Sequence, residues 1–232
     1  MLLRKPRARH GEVINDLDGD VVNLFRVLRD KTLAMELKGG MELTPFAREE
    51  FISALSPSDD PVERARRFLI RAFMGQGSCV LYEKNGFRSN RTGAQSPAMD
   101  WANLHKFVFA VVKRLQGVVI ENLPALEVIQ KYDRERTLFY IDPPYVHSTR
   151  TDRGRKAYRH EMTDEDHKKL AEQAHCIKGK VIISGYSCDL YDALYKGWAR
   201  VEKEARADGG ARRTECLWLS PNALVNGLLF EE

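Results

Sequence analysis

Residues 137–145 read Thr-Leu-Phe-Tyr-Ile-Asp-Pro-Pro-Tyr, an apolar run that ends in an acid, two prolines and an aromatic residue. The first five residues have the length and the β-branched and aromatic content of a buried strand. Asp142 follows at the carboxyl end, and Pro143 and Pro144 stop the strand because proline cannot donate to a sheet ladder. Since ligands of open α/β sheets lie at the carboxyl ends of strands, we expect Asp142 to be a functional acid.

Short apolar runs and amphipathic segments alternate on both sides of this strand. The alternation is typical of an α/β fold with a parallel sheet and helices on both faces. The predicted strands are Glu12 to Asp16, Val118 to Ile120, Thr137 to Ile141 and Lys180 to Ser184, with a final hairpin of residues 199–204 and 213–219. The predicted helices of this part are Asp18 to Arg29, Ala125 to Tyr132, Thr163 to Cys176 and Leu190 to Lys196.

Residues 44–116 have helical patterns with no strand-rich pattern between them. The predicted helices here are Thr44 to Leu55, Asp60 to Phe73 and Trp101 to Leu115. A polar stretch between Gly75 and Pro97 forms a long loop, and loops of that length are usually functional. We therefore predict an α/β domain made of residues 1–43 and 117–232, interrupted by a helical insertion of residues 44–116.

The composition fits one sizeable core with a small satellite, since 43% of the 232 residues are hydrophobic. Apolar runs are far shorter than a bilayer span, and the N-terminus lacks the apolar core of a signal peptide. We expect a soluble, intracellular protein without a membrane partner. The cysteines lie far apart, without paired spacing or neighbouring histidines, so we expect buried reduced thiols and no metal site.

The net charge of +4 permits a polyanionic partner without requiring one. Basic residues cluster at positions 4–9, 64–71 and 150–159. The third cluster could be a solvated loop. Its position directly after the Asp-Pro-Pro-Tyr segment favours contact with a phosphate backbone.

The two prolines after Asp142 stiffen the turn and leave its carbonyl groups as acceptors, which suits an amine substrate. If the Asp142 carboxylate and the Pro143 carbonyl accept both N–H groups of an adenine amine, its lone pair can aim at an activated methyl group. Tyr145 would then stack on a base flipped out of the duplex. The alternative is a structural proline-rich turn with a buried tyrosine.

Acids also end two other predicted strands, at Asp16 and at Glu121-Asn122. An acid at the end of the second strand of a nucleotide-binding sheet can accept hydrogen bonds from ribose hydroxyls, and Asp16 fits that role. Asp16 could equally cap the following helix. His167 lies near a predicted helix start, and we interpret it as structural.

Taken together, these residues resemble the Dam-like, prophage-type adenine-specific DNA methylases over nearly the full length of the chain. Only Asp142-Pro-Pro-Tyr145 is specific alone. The other matching segments are Glu12-Val-Ile-Asn-Asp-Leu-Asp18, Glu121-Asn122, Met162-Thr-Asp-Glu-Asp-His167, Ile183-Ser-Gly-Tyr186 and Arg213-Thr-Glu-Cys-Leu-Trp218.

The resemblance implies a Rossmann-like methyltransferase sheet, S-adenosylmethionine as methyl donor, and double-stranded DNA as partner. It also implies roles for three groups of residues. The base-handling residues are Asp142, Pro143, Pro144 and Tyr145; the donor-binding residues are Asn15, Asp16, Glu121, Asn122, Leu123 and Asp142; the DNA-binding residues are Arg71, Asn85, Arg88, Arg91, Arg150, Arg153, Arg155 and Lys156. The segment from Asn85 to Arg91 could also be a mere surface insertion. The implied location is the cytoplasm of a bacterial or phage-infected cell, in a prophage or a restriction-modification system.

The family's aromatic-x-Gly-x-Gly donor loop has no counterpart before Leu2. We therefore expect the first central strand to be missing, through a start assigned at an internal methionine. Alternatively, another polypeptide supplies the loop, or the flanking strands close up. Alternative functions are a catalytically impaired DNA-binding module and an amino-methyltransferase acting on cytosine or RNA.

Overall fold

The computed structural model describes residues 2–76, 86–89, 96–150, 158–206 and 212–224. The chain forms two compact units, Met1–Pro124 and Ala125–Glu232. This division by compactness differs from the predicted boundaries at residues 44 and 116. The role of residues 44–116 in contacting DNA stays a prediction.

Among its described residues, the first unit combines a pair of parallel strands with six α-helices. The strands are β1 (Glu12–Asn15) and β2 (Val118–Glu121), paired so that Val13 lies opposite Val119. The helices are α1 (Gly19–Arg29), α2 (Lys31–Leu43), α3 (Arg48–Ser53), α4 (Pro61–Met74), α5 (Pro97–Leu104) and α6 (Val108–Leu115). The helices α1, α2, α4 and α6 enclose one apolar core that includes Leu37, Ile70 and Leu115, each fully buried.

The described strands of the second unit form a four-stranded mixed sheet. Its strands are β3 (Leu138–Ile141), β4 (Lys180–Tyr186), β5 (Ala199–Arg206) and β6 (Arg212–Leu219), and its helices are α7 (Ala125–Tyr132), α8 (Asp164–Cys176), α9 (Asp189–Leu194) and α10 (Pro221–Leu224). The strand order is β3-β4-β6-β5, with β3 and β4 parallel and the other neighbours antiparallel. Val181, Ile183 and Trp218 form its core with residues of α8 and α9.

The predicted strands and the final hairpin are confirmed, with ends that differ by one or two residues at most positions. The predicted helix from Thr44 to Leu55 is wrong at its start. Thr44 instead ends α2, where its hydroxyl donates to the carbonyl of Gly40 at 2.6 Å, and α3 begins only at Arg48. The prediction also missed α2 itself, whose interior contains Gly39 and Gly40. The expectation of a missing central strand stays a prediction.

Three cysteines lie among the described residues, and all three carry free thiols. Cys216 is buried and Cys188 is partly buried, but Cys176 is exposed because it ends α8. The prediction of a buried thiol is therefore wrong for Cys176, and Cys79 lies outside the described residues. Within the part of the chain that the structure describes, no helix is both long and apolar enough to cross a membrane.

Candidate amine site and donor-side strand ends

The carboxylate of Asp142 is fixed from the neighbouring strand. The Ser184 hydroxyl lies 2.8 Å from Asp142 Oδ1 and 3.2 Å from the carbonyl oxygen of Ile141, so it can donate to either. Parallel pairing places Ile141 opposite Ile183, which brings the next residue of each strand together. Ser184 is buried, whereas Asp142 is exposed. A buried hydroxyl therefore holds an accessible carboxylate at the carboxyl end of β3.

The turn after Asp142 leads to a packed tyrosine. Pro143 is buried and Pro144 is half-buried. The Tyr145 ring meets the Tyr186 ring edge to face, with centroids 4.7 Å apart and an angle of 76° between the planes. Burial raises the pKa of the Tyr145 hydroxyl above its ordinary value of 10, and the Asp142 charge raises it further. Tyr145 is therefore a neutral, oriented aromatic side chain beside the carboxylate.

A second tyrosine, Tyr158, is held by a charged pair. Glu161 accepts a hydrogen bond from the Tyr158 backbone N–H at 2.9 Å and another from the Arg150 guanidinium at 2.7 Å. The guanidinium carbon of Arg150 lies 5.2 Å from the centre of the Tyr158 ring, a cation–π distance. Partial desolvation and then the Asp142 charge raise the pKa of Tyr158, although the residue is 47% exposed. These contacts order the backbone and the ring of Tyr158.

Behind β4, the side chains of α8 and α9 fill the core. The Tyr191 hydroxyl lies 3.0 Å from Nδ1 of His167, and neither residue is more than 1% exposed. Burial lowers the pKa of His167, which favours the neutral imidazole. This position fits the interpretation of His167 as a structural residue.

In the first unit, Asn15 joins the ends of β1 and β2. Its side-chain nitrogen donates to the carbonyl of Leu123, and its side-chain oxygen accepts from the Leu123 N–H, each at 3.0 Å. The Asn122 side chain donates to the carbonyl groups of Asp16 and Leu17, at 2.9 and 3.1 Å. The strand ends that the sequence singled out therefore form one hydrogen-bonded frame.

The cap of α1 is Asp18, not Asp16. The Asp18 carboxylate accepts from the Asp20 N–H at 2.8 Å, which is the usual geometry of a helix N-cap. Asp16 accepts from the Asp18 N–H at 2.8 Å and so supports the turn that enters the helix. Its side chain is partly exposed. Asp16 therefore supports the helix start without capping the helix. Its proposed binding of ribose hydroxyls stays a prediction.

The arginines predicted to bind DNA have different surroundings. Arg71 is buried, and it donates to the Ala54 carbonyl at 2.8 Å and to Asp20 at 3.3 Å. The Arg150 side chain is 7% exposed and bound to Glu161. Arg88 is exposed, and its backbone N–H donates to the Met74 carbonyl at 2.7 Å. The predictions for Asn85, Arg91, Arg153, Arg155 and Lys156 concern residues outside the described ranges.

Sequence reasoning assigned no role to Ser184, Tyr186, Tyr158 or Glu161. The first two lie in the segment Ile183-Ser-Gly-Tyr186, where alternate residues of a strand share one face. That alternation could be read from the sequence. It shows which side chains lie near Asp142 and Tyr145 only when the pairing of β4 with β3 is known. Across the described ranges, no group of three or more His, Cys, Asp or Glu side chains is placed to hold a metal ion.

No curated protein matches the chain at a significant level. The family description of the D12 class N6 adenine-specific DNA methyltransferases matches residues 3–208. The match includes β1 and β2 with their connected ends, the Asp-Pro-Pro-Tyr turn, and the β4 segment that holds it. The chain therefore belongs to the D12 class of N6 adenine-specific DNA methyltransferases.

Proposed function

We propose that the chain transfers a methyl group from S-adenosylmethionine to the N6 amine of an adenine that is flipped out of double-stranded DNA. One observation supports this most: an accessible carboxylate, fixed by Ser184 at the end of β3, leads directly into a stiff Pro-Pro turn and an oriented Tyr145. Membership of a DNA adenine methyltransferase family supports the substrate and the reaction class.

The amine side of the reaction needs acceptors more than a strong base. The adenine nitrogen is a poor nucleophile because its lone pair is delocalised into the ring. The Asp142 carboxylate and the Pro143 carbonyl accept its two N–H groups, which directs the lone pair away from the ring plane. Tyr145 stacks on the flipped base, and its raised pKa keeps it uncharged during the reaction.

S-adenosylmethionine, when bound, supplies an electrophilic methyl group attached to a positively charged sulfur. With the amine held by Asp142 and Pro143, its lone pair would form the new N–C bond, and the electrons of the C–S bond would stay on sulfur. The nitrogen then loses one proton to solvent. The transfer requires neither a metal nor an oxidant.

The donor-side residues fit this role through the frame that holds them. Asp16 places a partly exposed carboxylate at the carboxyl end of β1, where it can accept hydrogen bonds from ribose hydroxyls. Glu121 ends the neighbouring strand. Because the side chains of Asn15 and Asn122 bind backbone groups, we assign them to holding this frame, together with the backbone of Leu123.

The first prediction concerns Asp142. Asp142→Asn keeps the size of the side chain but replaces one acceptor oxygen with a donor, so kcat should fall by about 10²–10³-fold. The measurement is the incorporation of radiolabelled methyl groups into unmethylated duplex DNA, followed by digestion to nucleosides. Asp189→Asn, an exposed aspartate of the same unit, is the matched control and should keep full activity.

Two results would overturn the proposed function. One is the absence of incorporation by the unaltered chain while salt-sensitive DNA binding persists, which identifies a binding module instead. The other is label found in cytosine, or in RNA in preference to DNA. Incorporation into adenine that survives Asp142→Asn would overturn the assigned role of the carboxylate.

A further inference from the structure

Strand β4 directs the side chains of two residues toward the Asp-Pro-Pro-Tyr turn, and the glycine between them faces the core. Ser184 contacts Asp142 and Tyr186 contacts the Tyr145 ring, as expected for alternate residues that share one face of a strand. Gly185, between them, faces Tyr191 and Trp218. Asp142 and Tyr145, which are proposed to hold the base, therefore each contact a different side chain of β4.

The hydroxyl of Ser184 distinguishes the two oxygens of the Asp142 carboxylate. The hydroxyl has one hydrogen, and Asp142 Oδ1 at 2.8 Å is a closer acceptor than the Ile141 carbonyl oxygen at 3.2 Å. Hydrogen bonds to a charged acceptor are also the stronger kind. Among the described residues, none donates a hydrogen bond to Oδ2. The carboxylate is thus held by one oxygen and presents the other.

The ring of Tyr186 fixes the plane of the Tyr145 ring. An edge-to-face pair at 4.7 Å is near the closest spacing at which such pairs are favourable, so rotation of either ring loses the contact. A ring that stacks on a base must have a defined plane before the base arrives, because ordering it afterwards costs conformational entropy.

The backbone that carries both residues is itself fixed. A β-carbon added to Gly185 would lie 2.7 Å from Cε2 of Tyr191 and 3.4 Å from Trp218, so these rings pack directly against the strand. Tyr191 and Trp218 are at most 2% exposed, and their rings meet edge to face at 5.1 Å. The support for the amine site therefore extends into the core of the second unit.

We propose that Ser184 and Tyr186 are the positioning residues of the amine site, and this inference rests on the proposed function. Ser184 holds Asp142 Oδ1 so that Oδ2 receives an N–H of the target amine. Tyr186 holds the Tyr145 ring in the plane on which the base stacks. Neither residue touches the reacting atoms.

The test separates positioning from folding by using Ser220 as a matched control. Ser220 is as buried as Ser184, and its hydroxyl accepts from the Val181 N–H of the same strand at 2.9 Å. Ser184→Ala should lower kcat about tenfold or more, while the KM for DNA stays within about twofold. Ser184→Thr, which keeps the hydroxyl, should regain most of the loss. Ser220→Ala should lower only the urea midpoint.

The Tyr186 arm tests the inference independently and covers the case in which Ser184→Ala fails to fold. Tyr186→Ala should lower kcat, and Tyr186→Phe, which keeps the ring, should regain most of that loss. Affinity for duplex DNA with an abasic site in place of the target adenine should be the same for all folded variants, because no base is stacked there.

The outcomes distinguish this inference from the proposed function. An unaltered chain that methylates adenine, with folded Ser184→Ala and Tyr186→Ala variants of unchanged kcat, overturns the positioning roles alone. A loss of kcat in Ser220→Ala equal to that in Ser184→Ala does so too, because it shows a general effect of stability. An unaltered chain without activity overturns both.

Discussion

At the residue scale, the space around Gly185 is as important as the side chains on either side of it. Tyr191 and Trp218 occupy the volume that a side chain at position 185 would need. Because Tyr191 is 1% exposed and bonded to His167, its ring has little room to move. A larger residue would therefore shift the strand itself, and with it the supports of Asp142 and Tyr145.

We predict that Gly185→Ala lowers the free energy of unfolding by about 1–3 kcal/mol, the usual cost of overpacking a core. It should also lower kcat, since β4 carries both positioning residues. Gly39→Ala is the control, because a β-carbon there meets nothing within 4 Å and the residue lies inside α2. This change should stabilise the protein by about 0.5–1 kcal/mol. Urea unfolding measures both, and equal stability of the two variants would contradict the packing argument.

Arg71 shows what sequence alone could not reveal about single residues. The family resemblance implied a contact of Arg71 with DNA, which stays a prediction, and the structure adds that its guanidinium lies against Asp20, which is 51 residues earlier in the chain. Whether an arginine faces a phosphate or an internal carboxylate depends on such distant neighbours. Asp142 was easier to select as a candidate, because its strand and its prolines are adjacent in sequence.

At the element scale, β1 is tied down at both ends by side chains. Asn15 binds Leu123 at the carboxyl end. At the other end, Arg114 of α6 makes two hydrogen bonds to the Glu12 carboxylate, at 2.6 and 2.8 Å, and Lys5 makes a third. Short strands have few ladder bonds of their own, so these side chains contribute much of what keeps β1 in register.

The Glu12 contacts make part of the stability dependent on pH. The Arg114 guanidinium and then Lys5 lower the pKa of Glu12 from its ordinary 4.5 to about 2, although burial opposes the change. A folded pKa below the unfolded one gives stability that is fully present above about pH 4.5 and is lost as the pH falls toward 2. Glu12→Gln should therefore flatten the dependence of the unfolding free energy on pH in this window.

The magnitude expected for Glu12 is on the order of 1–3 kcal/mol at neutral pH, measured by urea unfolding at several pH values. Glu42→Gln is the control, because Glu42 forms only an exposed pair with Lys38 at 3.2 Å. If both variants keep the acid-induced loss of the unaltered protein, Glu12 is not its source.

The elements that were predicted well from the sequence are those whose ends are marked by capping residues or prolines. The helix α8 was recognisable from Thr163, whose hydroxyl forms a capping box with Asp166, and β3 from the prolines that stop it. The helix α2 escaped because Gly39 and Gly40 interrupt its pattern, while tertiary packing of Leu37 and Met41 outweighs their low propensity. The contact of Ser184 with Asp142 could not be predicted, since it requires the register of two strands 42 residues apart.

At the scale of the whole molecule, the surplus of positive charge is small. The net charge is +4, and the pairs that Arg71 and Arg150 form with Asp20 and Glu161 are neutral and do not change it. Arg88, in the segment from Asn85 to Arg91 that is predicted to contact DNA, is exposed and can therefore reach a phosphate group.

We predict that Arg88→Ala reduces the slope of log K against log salt concentration for duplex DNA by about 1. Arg150→Ala should instead lower the stability, because it leaves Glu161 without its guanidinium partner. Arg200→Ala is the control, since Arg200 is bound to Asp192 and Ser187. Fluorescence anisotropy over a salt series measures the slopes, and an unchanged slope for Arg88→Ala would remove this residue from the interface.

The position of Gly185 between Ser184 and Tyr186 also bears on how this protein can evolve. Substitutions that repack Tyr191 or Trp218 move the same strand that aligns Asp142 and Tyr145, so selection for a tighter interior also acts on the amine site. Changes in the packing of the interior or in the alignment of the amine site are therefore expected to occur as correlated substitutions in α9, β4 and β6. Descendants that lose activity would be released from the constraint on the amine site, although Tyr191 and Trp218 would still disfavour a side chain at position 185.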